Sequence, residues 1–237
     1  MRPLAGAPVV QRIVERARRA RQIDDIVVAM PDTAKDDVLA AHLGAWGAHV
    51  FRGSEDDVLA RILGAAHAYD ATIHIQLWGD TPLLDPEEID RVVAAIREGD
   101  EDLIGNGLGD NRLLPLGLDV IGLRVRALEE ADRATRSNAY HREHGTTYVY
   151  QTPGAFKVRA LETPSHLRYP SFRATIDKEE DYHFAASIYE RLYPVRPDFG
   201  MREVVDLVRS QPDLRRNPLA AGLLAVERAP GRPKPSQ

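Results

Sequence analysis

The sequence predicts an α/β domain with a mixed, mostly parallel sheet and helices on both faces. Two observations predict it. Short apolar, β-branched runs alternate along the chain with stretches of helical periodicity, the pattern of repeated strand–helix units. The 237 residues, 43% hydrophobic and 28% charged with 17 Gly and 16 Pro, are an ordinary globular mixture long enough to bury a full core.

Taken in order, Val9, Val10, Ile13 and Val14 share one stripe of a helix over Val9–Ala20, and Ile26–Met30 reads as a buried strand. A helix over Thr33–Leu43, a strand over Ala48–Phe51 and a helix over Glu55–Ala68 follow, the last carrying Val58, Leu59, Ile62 and Leu63. Thr72–Leu77 is the next strand. Asp85-Pro86-Glu87-Glu88 then supplies an N-cap, a first-turn proline and first-turn acids, which opens a helix running through Ile96. Leu103–Ile104 and Asp119–Leu123 read as strands. Between Thr146 and Leu161 two β-rich pieces, Thr147–Tyr150 and Phe156–Arg159, are broken by Pro153-Gly154, predicting a small hairpin-like β insertion over about 146–161. Arg173–Ile176 returns to the sheet, and helices over Lys178–Leu192 and Arg202–Arg209 complete one domain spanning 1–222. The remaining 223–237, ending in a Pro-rich stretch, is expected to be a disordered tail.

Several function classes are excluded by composition. No run approaches the ~20 apolar residues of a membrane span, and Met1-Arg2-Pro3-Leu4 opens no secretory signal, so a soluble cytoplasmic protein is expected. The absence of Cys removes disulfides, thiolate nucleophiles and Cys-based metal sites. A net charge of −5 without a basic block speaks against nucleic-acid binding.

Chemistry in an open α/β sheet is sought outside the carboxyl ends of the strands. Asp80, in Trp78-Gly79-Asp80-Thr81-Pro82 after strand 72–77, stands where a metal or substrate binds, or else stabilises a turn. Asp177, directly after Arg173–Ile176, is a second strand-end carboxylate or the N-cap of the helix that follows. Two such carboxylates suit a hard cation that keeps its other positions for water and phosphate oxygens. Gly53 and Ser54 open a helix after a strand, a turn suited both to capping and to binding an anion or base, while Arg61 is a candidate ligand or a solvated charge. His141-Arg142-Glu143-His144 is a polar cluster whose spacing does not fit the zinc helix motif. Asp100-Glu101-Asp102 has the Asp-x-Asp spacing of sugar-nucleotide transferases but falls at the wrong end of the sheet, and reads as a solvated turn.

Leu4-Ala-Gly-Ala-Pro8, Val14-Glu-Arg16, Ile23–Ala29, Val50–Arg61, Gly79–Asp85, Gly117-Leu-Asp119, Arg142-Glu-His144 and Thr175–Asp181, in this order and spacing, resemble the cytidylyltransferases that make CMP-activated acid sugars, especially the spore-coat polysaccharide branch. The resemblance runs from about residue 4 to residue 210. It implies a Rossmann-like nucleotidyltransferase fold related to GT-A glycosyltransferases, CTP and Mg2+ at the strand ends, and an acidic sugar as acceptor. It assigns Asp80 and Asp177 to the metal and to catalysis, and places Gly53, Ser54 and Arg61, with Trp78 and Gly79, beside the nucleotide. Trp78 stacks on a base or packs in the core. Asp119, Glu143 and His144 would lie toward the acceptor. A homodimer formed through the inserted β-segment is implied likewise. The family opens with a strand and a loop whose Arg and Lys grip the triphosphate. Here the first helix begins almost at Met1, so that strand and loop are expected to be missing, with Arg2 a weak substitute. A GT-A glycosyltransferase and a non-catalytic relative are the alternatives.

Overall fold

Pro3–Leu4 (β1) and Ala7–Pro8 (β2) pair antiparallel across a two-residue turn, Ala5-Gly6, in which both residues have positive φ. The computed structural model describes residues 1–109 and 112–224. The expected disordered tail lies outside the described residues from 225 onward. After β2 come α1 (Val9–Ala17), β3 (Val27–Pro31), α2 (Asp37–Ala45), β4 (His49–Gly53), α3 (Val58–Ala68), β5 (Ile73–Gln76) and α4 (Pro86–Glu98). The chain continues through β6 (Leu103–Gly105), β7 (Ile121–Arg124), α5 (Val125–Ala134), α6 (Ala139–Glu143), α7 (Thr147–Gln151) and β8 (Val158–Ala160). Helices α8 (Glu179–Leu192), α9 (Met201–Ser210), α10 (Pro212–Arg215) and α11 (Ala221–Leu224) close it.

The strands lie in two main sheets rather than one. β3 and β4 form a parallel pair, while β5, β7, β6 and β8 form a second sheet in that order, with β7 antiparallel to both its neighbours and β8 parallel to β6. The register aligns Gln76, Ile121, Gly105 and Ala160 across the second sheet. The ends of β5, β6 and β8 and the start of β7 therefore share one edge.

Period-two alternation decides which helices cover which face. Ile121 and Leu123 of β7 join α3 and α5 in one buried cluster, whereas Val120 joins α1 and α4 in another. Gly122 faces Val92 and Ile96 of α4, where an added Cβ would come within 3.0 and 3.4 Å. A third cluster packs Leu4, Leu114, Leu118 and Phe172 against α8 and α9. Among the described residues no helix is long and apolar enough to cross a membrane.

Two expectations are corrected. The segment 146–161 is not a β insertion: Thr147–Gln151 is helical, and Val158–Ala160 joins the main sheet beside β6. The Tyr-Val-Tyr run has strand propensity, but Thr147 and Val149 bury themselves beside α5, and tertiary packing overrides propensity. Arg173–Ile176 makes only an isolated parallel bridge, Leu116 with Arg173, and just beyond it Ile176 N turns to Asp80 O in the loop before α4.

Candidate active site

The segment from Trp78 to Asp85 is fixed from several sides. Thr81 Oγ1 donates to Trp78 O at 2.9 Å and Leu84 N to Thr81 O at 3.1 Å, which closes the turn around Asp80. Tyr189 of α8 donates its hydroxyl to Pro82 O at 2.5 Å, and Arg16 of α1 donates Nε to Leu84 O at 2.6 Å. Asp85 caps α4 by accepting Glu87 N at 2.9 Å, as its sequence context predicts. Arg16 is 3% exposed, lies over the Phe199 ring and leaves one terminal nitrogen without a partner; burial pushes its guanidinium below the ordinary arginine value. Tyr189→Phe is expected to cost about 1 kcal/mol by removing a buried hydrogen bond, read as a lowered midpoint in urea.

The two strand-edge carboxylates meet through one hydroxyl. Ile176 N donates to Asp80 O at 2.8 Å, which brings Thr175 Oγ1 to 3.0 Å from Asp80 Oδ2 and 3.4 Å from Asp177 Oδ1. Arg173 forms an ion pair with the other Asp177 oxygen. The capping alternative for Asp177 is not realised: Asp181 accepts the backbone N–H groups of Asp177 and Lys178 at 3.1 and 2.9 Å. The Asp177 carboxylate, 42% exposed, is thereby left to Arg173 and Thr175. Thr175, 6% exposed, was not singled out by residue chemistry, although it opens the Thr175-Ile-Asp motif.

The donor set fits a hard divalent cation that takes two carboxylates and completes its shell with water and phosphate. Among the described residues no group of three or more His, Cys, Asp or Glu side chains forms a metal cage.

Gly53, Ser54 and Arg61 form a second cluster at the end of β4. The Arg61 guanidinium folds back on the turn, donating to the carbonyls of Ser54 and Glu55, while Ser54 Oγ accepts from Asp57 N at 3.0 Å. A Cβ on Gly53 would meet Arg61 Cγ at 3.0 Å, so the absent side chain lets the arginine lie over the turn. Arg61 Nε is buried without a partner, and burial lowers the guanidinium's pKa against the pull of Asp36, Asp57 and Glu55. Trp78 is partly buried against the cluster between α3 and α5, the core-packing alternative, and Gly79 is exposed beside it.

On the acceptor side the structure redistributes the roles. Asp119 makes a two-point ion pair with Arg112 at 2.5 and 2.7 Å and accepts Gly117 N at 3.0 Å. Glu143 and His144 are exposed, with His144 edge-on to Tyr140 at 4.6 Å. Arg142 of α6 instead bridges Asp57, the cap of α3, and Asp132 of α5. Asp100-Glu101-Asp102 lies at the opposite edge, where Asp102 pairs with Arg126 and accepts Lys157 N, a structural turn. Gly117 links the two parts of the site: at φ +98° its absent Cβ would fall 2.7 Å from Ala174 C and Thr175 N. Gly117→Ala is expected to destabilise the fold by about 1–3 kcal/mol through backbone strain, seen as a lower melting temperature.

Residues 1–205 match the family described as Cytidylyltransferase. The chain is 32% identical over 219 residues to the spore coat polysaccharide biosynthesis protein SpsF of Bacillus subtilis (strain 168), covering 90% of this chain and 88% of that protein. Its fold superposes with a TM-score of 0.80 on a cytidylyltransferase from Leptospira borgpetersenii at 27% identity, covering 91% of this chain and 88% of that one. A CMP:2-keto-3-deoxy-manno-octonic acid synthetase complexed with CTP shares the fold at 14% identity, with a TM-score of 0.60 over 80% of this chain and 90% of that one.

Proposed function

We propose, from the premise that the chain belongs to the cytidylyltransferase family, that it transfers CMP from CTP to an acidic sugar or related polar metabolite, with Mg2+ at Asp80 and Asp177 and release of pyrophosphate. Nucleotidyl transfer follows from the family. The observation that carries the finer reading is the Asp80–Thr175–Asp177 bridge at the sheet edge. The Asp100-x-Asp102 signal for a glycosyltransferase is consumed by structural contacts at the other edge, which favours CTP chemistry over the GT-A alternative.

In the transfer an acceptor oxygen forms a bond to the α-phosphorus while the bond from that phosphorus to the pyrophosphate oxygen breaks, and the acceptor proton passes to solvent. Bound Mg2+ supplies neutralisation of the charge that gathers on the phosphate oxygens. The chain's own contribution is preorganisation. Arg173 holds one oxygen of Asp177, the single Thr175 hydroxyl hydrogen is shared between Asp80 at 3.0 Å and the other Asp177 oxygen at 3.4 Å, and Tyr189 and Arg16 keep the Asp80 loop from relaxing toward solvent. The Gly53–Arg61 turn, whose Ser54 is exposed and whose shape Arg61 holds, is the part of the chain that would meet the nucleoside.

Surface polysaccharide biosynthesis is the setting this reading proposes, and a homodimer the assembly. The edge strand β8, with Val158 42% exposed, is available for pairing with a second copy, which light scattering tests. The activity test is pyrophosphate release with a panel of acidic sugars. Release that requires CTP and Mg2+ and fails with UTP, GTP or ATP supports the reading; no release with any acceptor, together with no binding of CTP, overturns it.

A further inference from the structure

At the carboxyl ends of β6 and β8 the same sheet edge opens into a cavity of about 270 Å3 whose walls include Asn106, Gly107, Arg112, Leu161, Glu162 and Arg168. Gly105 aligns with Ile121 and Ile121 with Gln76, so the end of β6, where the cavity opens, is two strands from the end of β5, about 10 Å at an interstrand spacing of about 4.8 Å. Contacts connect it to the carboxylates: the Thr175 backbone packs on Gly117, Gly117 N donates to Asp119, and Asp119 grips Arg112.

The two arginines of this cavity are in different electrical states. Arg112 is neutralised by Asp119 and donates its other N–H groups to the carbonyls of Leu114, Pro115 and Gly107. Arg168 donates Nε to Thr163 O at 3.0 Å, and among the described residues it has no acidic partner. Among the described residues its terminal nitrogens have no hydrogen-bond or ionic partner. The floor is rigid, because Asn106 is 3% exposed and holds Glu88, Leu118 O and Val120 N at once. Glu162 is the carboxylate on the wall.

We propose that this cavity binds an anionic group of the acceptor, a carboxylate or a phosphate, with Arg168 as its charge partner; the proposal rests on the cytidylyltransferase reading above. The cavity lies outside the end of β6 and Asp80 in the loop after β5, so the acceptor spans two strands and carries its charge several bonds away from the oxygen that attacks phosphorus. Asp119 is on this account a positioning residue, which spends the Arg112 charge and leaves recognition to Arg168. The uncommitted guanidinium fork suits either oxyanion.

The test follows the arginine Nε–H resonances of the full chain in separate titrations with inorganic phosphate and with acetate. Arg168, assigned by its loss in Arg168→Gln, is expected to shift and saturate, and Arg168→Gln to weaken the anion that binds by about 10- to 100-fold, the range of a charge-assisted hydrogen bond. The anion that saturates at lower concentration identifies the group as phosphate or carboxylate. Glu162→Gln is expected to tighten binding several-fold. CTP affinity, measured in parallel, stays unchanged in both variants. An Arg168 resonance that neither anion moves, or equal anion affinity in Arg168→Gln, overturns the proposal. Loss of CTP binding in the wild-type chain with anion saturation intact would instead count against the nucleotide site alone.

Discussion

Asp80→Asn is expected to lower CTP-dependent pyrophosphate release by about a thousandfold or more, because charge stabilisation is the main catalytic device in phosphoryl and nucleotidyl transfer. The substitution is nearly isosteric. It leaves the Asp80 carbonyl free to accept from Ile176 N, and it can still receive the Thr175 hydroxyl. The loop therefore keeps its shape, and what disappears is one negative charge of the pair that would hold the cation. Melting temperature is expected to change little, which separates a lost charge from a lost fold. Thr175→Val probes the same geometry more gently: both carboxylates keep their charge but lose the hydroxyl between them. A smaller fall in kcat is expected, about 10- to 100-fold, of the size seen when a positioned group is lost. Activity of Asp80→Asn within tenfold of the wild type would contradict the assignment.

Arg142→Met is expected to produce the largest loss of stability, about 2–4 kcal/mol. The Arg142 side chain is 13% exposed and pairs with Asp57 at 2.5 Å and Asp132 at 2.7 Å, which are themselves 33% and 29% exposed. Methionine fills the volume but strands two half-buried carboxylates. For a chain of this length that corresponds to a melting temperature lower by roughly 5–12 °C. The pH dependence carries a second signature. Burial alone would raise the Asp57 carboxyl, but the Arg142 hydrogen bond, the Ala60 N–H and the Arg142 and Arg61 charges outweigh it and hold it below the ordinary carboxylate value. A depressed folded-state pKa contributes stability that is fully present above the unfolded-state pKa and is lost as pH falls through the folded one. Wild-type stability is thus expected to fall in acid below the usual carboxylate range. In Arg142→Met that acid-sensitive part should be reduced, since the charge that depressed Asp57 is gone. Melting curves across acid pH for both proteins check this.

Elements with strong periodicity or caps were legible in the sequence. The helix opened by Asp85-Pro86 begins where its cap predicts, the strand at Ile73–Gln76 lies within its expected run, and that at Leu103–Gly105 extends its expected run by one residue. What local pattern missed was decided by tertiary contact. Thr147–Gln151 is helical because its buried face packs beside α5, and no short window shows that. The division of the strands between two sheets is equally a matter of long-range pairing.

The site was legible as carboxylates and illegible as partnerships. Asp80 and Asp177 stood out because each ends a strand-like run. The hydroxyl on Asp80 and the tyrosine on Pro82 O come from segments 95 and 107 residues distant in the chain, whereas the arginine beside Asp177 is only four residues away. The same limit explains Arg142-Glu143-His144. The cluster is visible in sequence, but only the fold shows that Arg142 is spent on Asp57 and Asp132 while Glu143 and His144 remain exposed. Asp119 likewise carries the family motif, and its commitment to Arg112 depends on a residue seven positions earlier that no motif marks.

In the proposed function the Asp80–Asp177 edge binds CTP together with Mg2+. Calorimetric titration of CTP into the full chain, with Mg2+ and then with chelator, and into Asp80→Asn tests it most directly. The expected result is one CTP per chain in the presence of Mg2+, with binding weakened strongly by chelator and by Asp80→Asn. CTP affinity that is indifferent to Mg2+ and to Asp80→Asn, or no CTP binding by a folded chain, would contradict it.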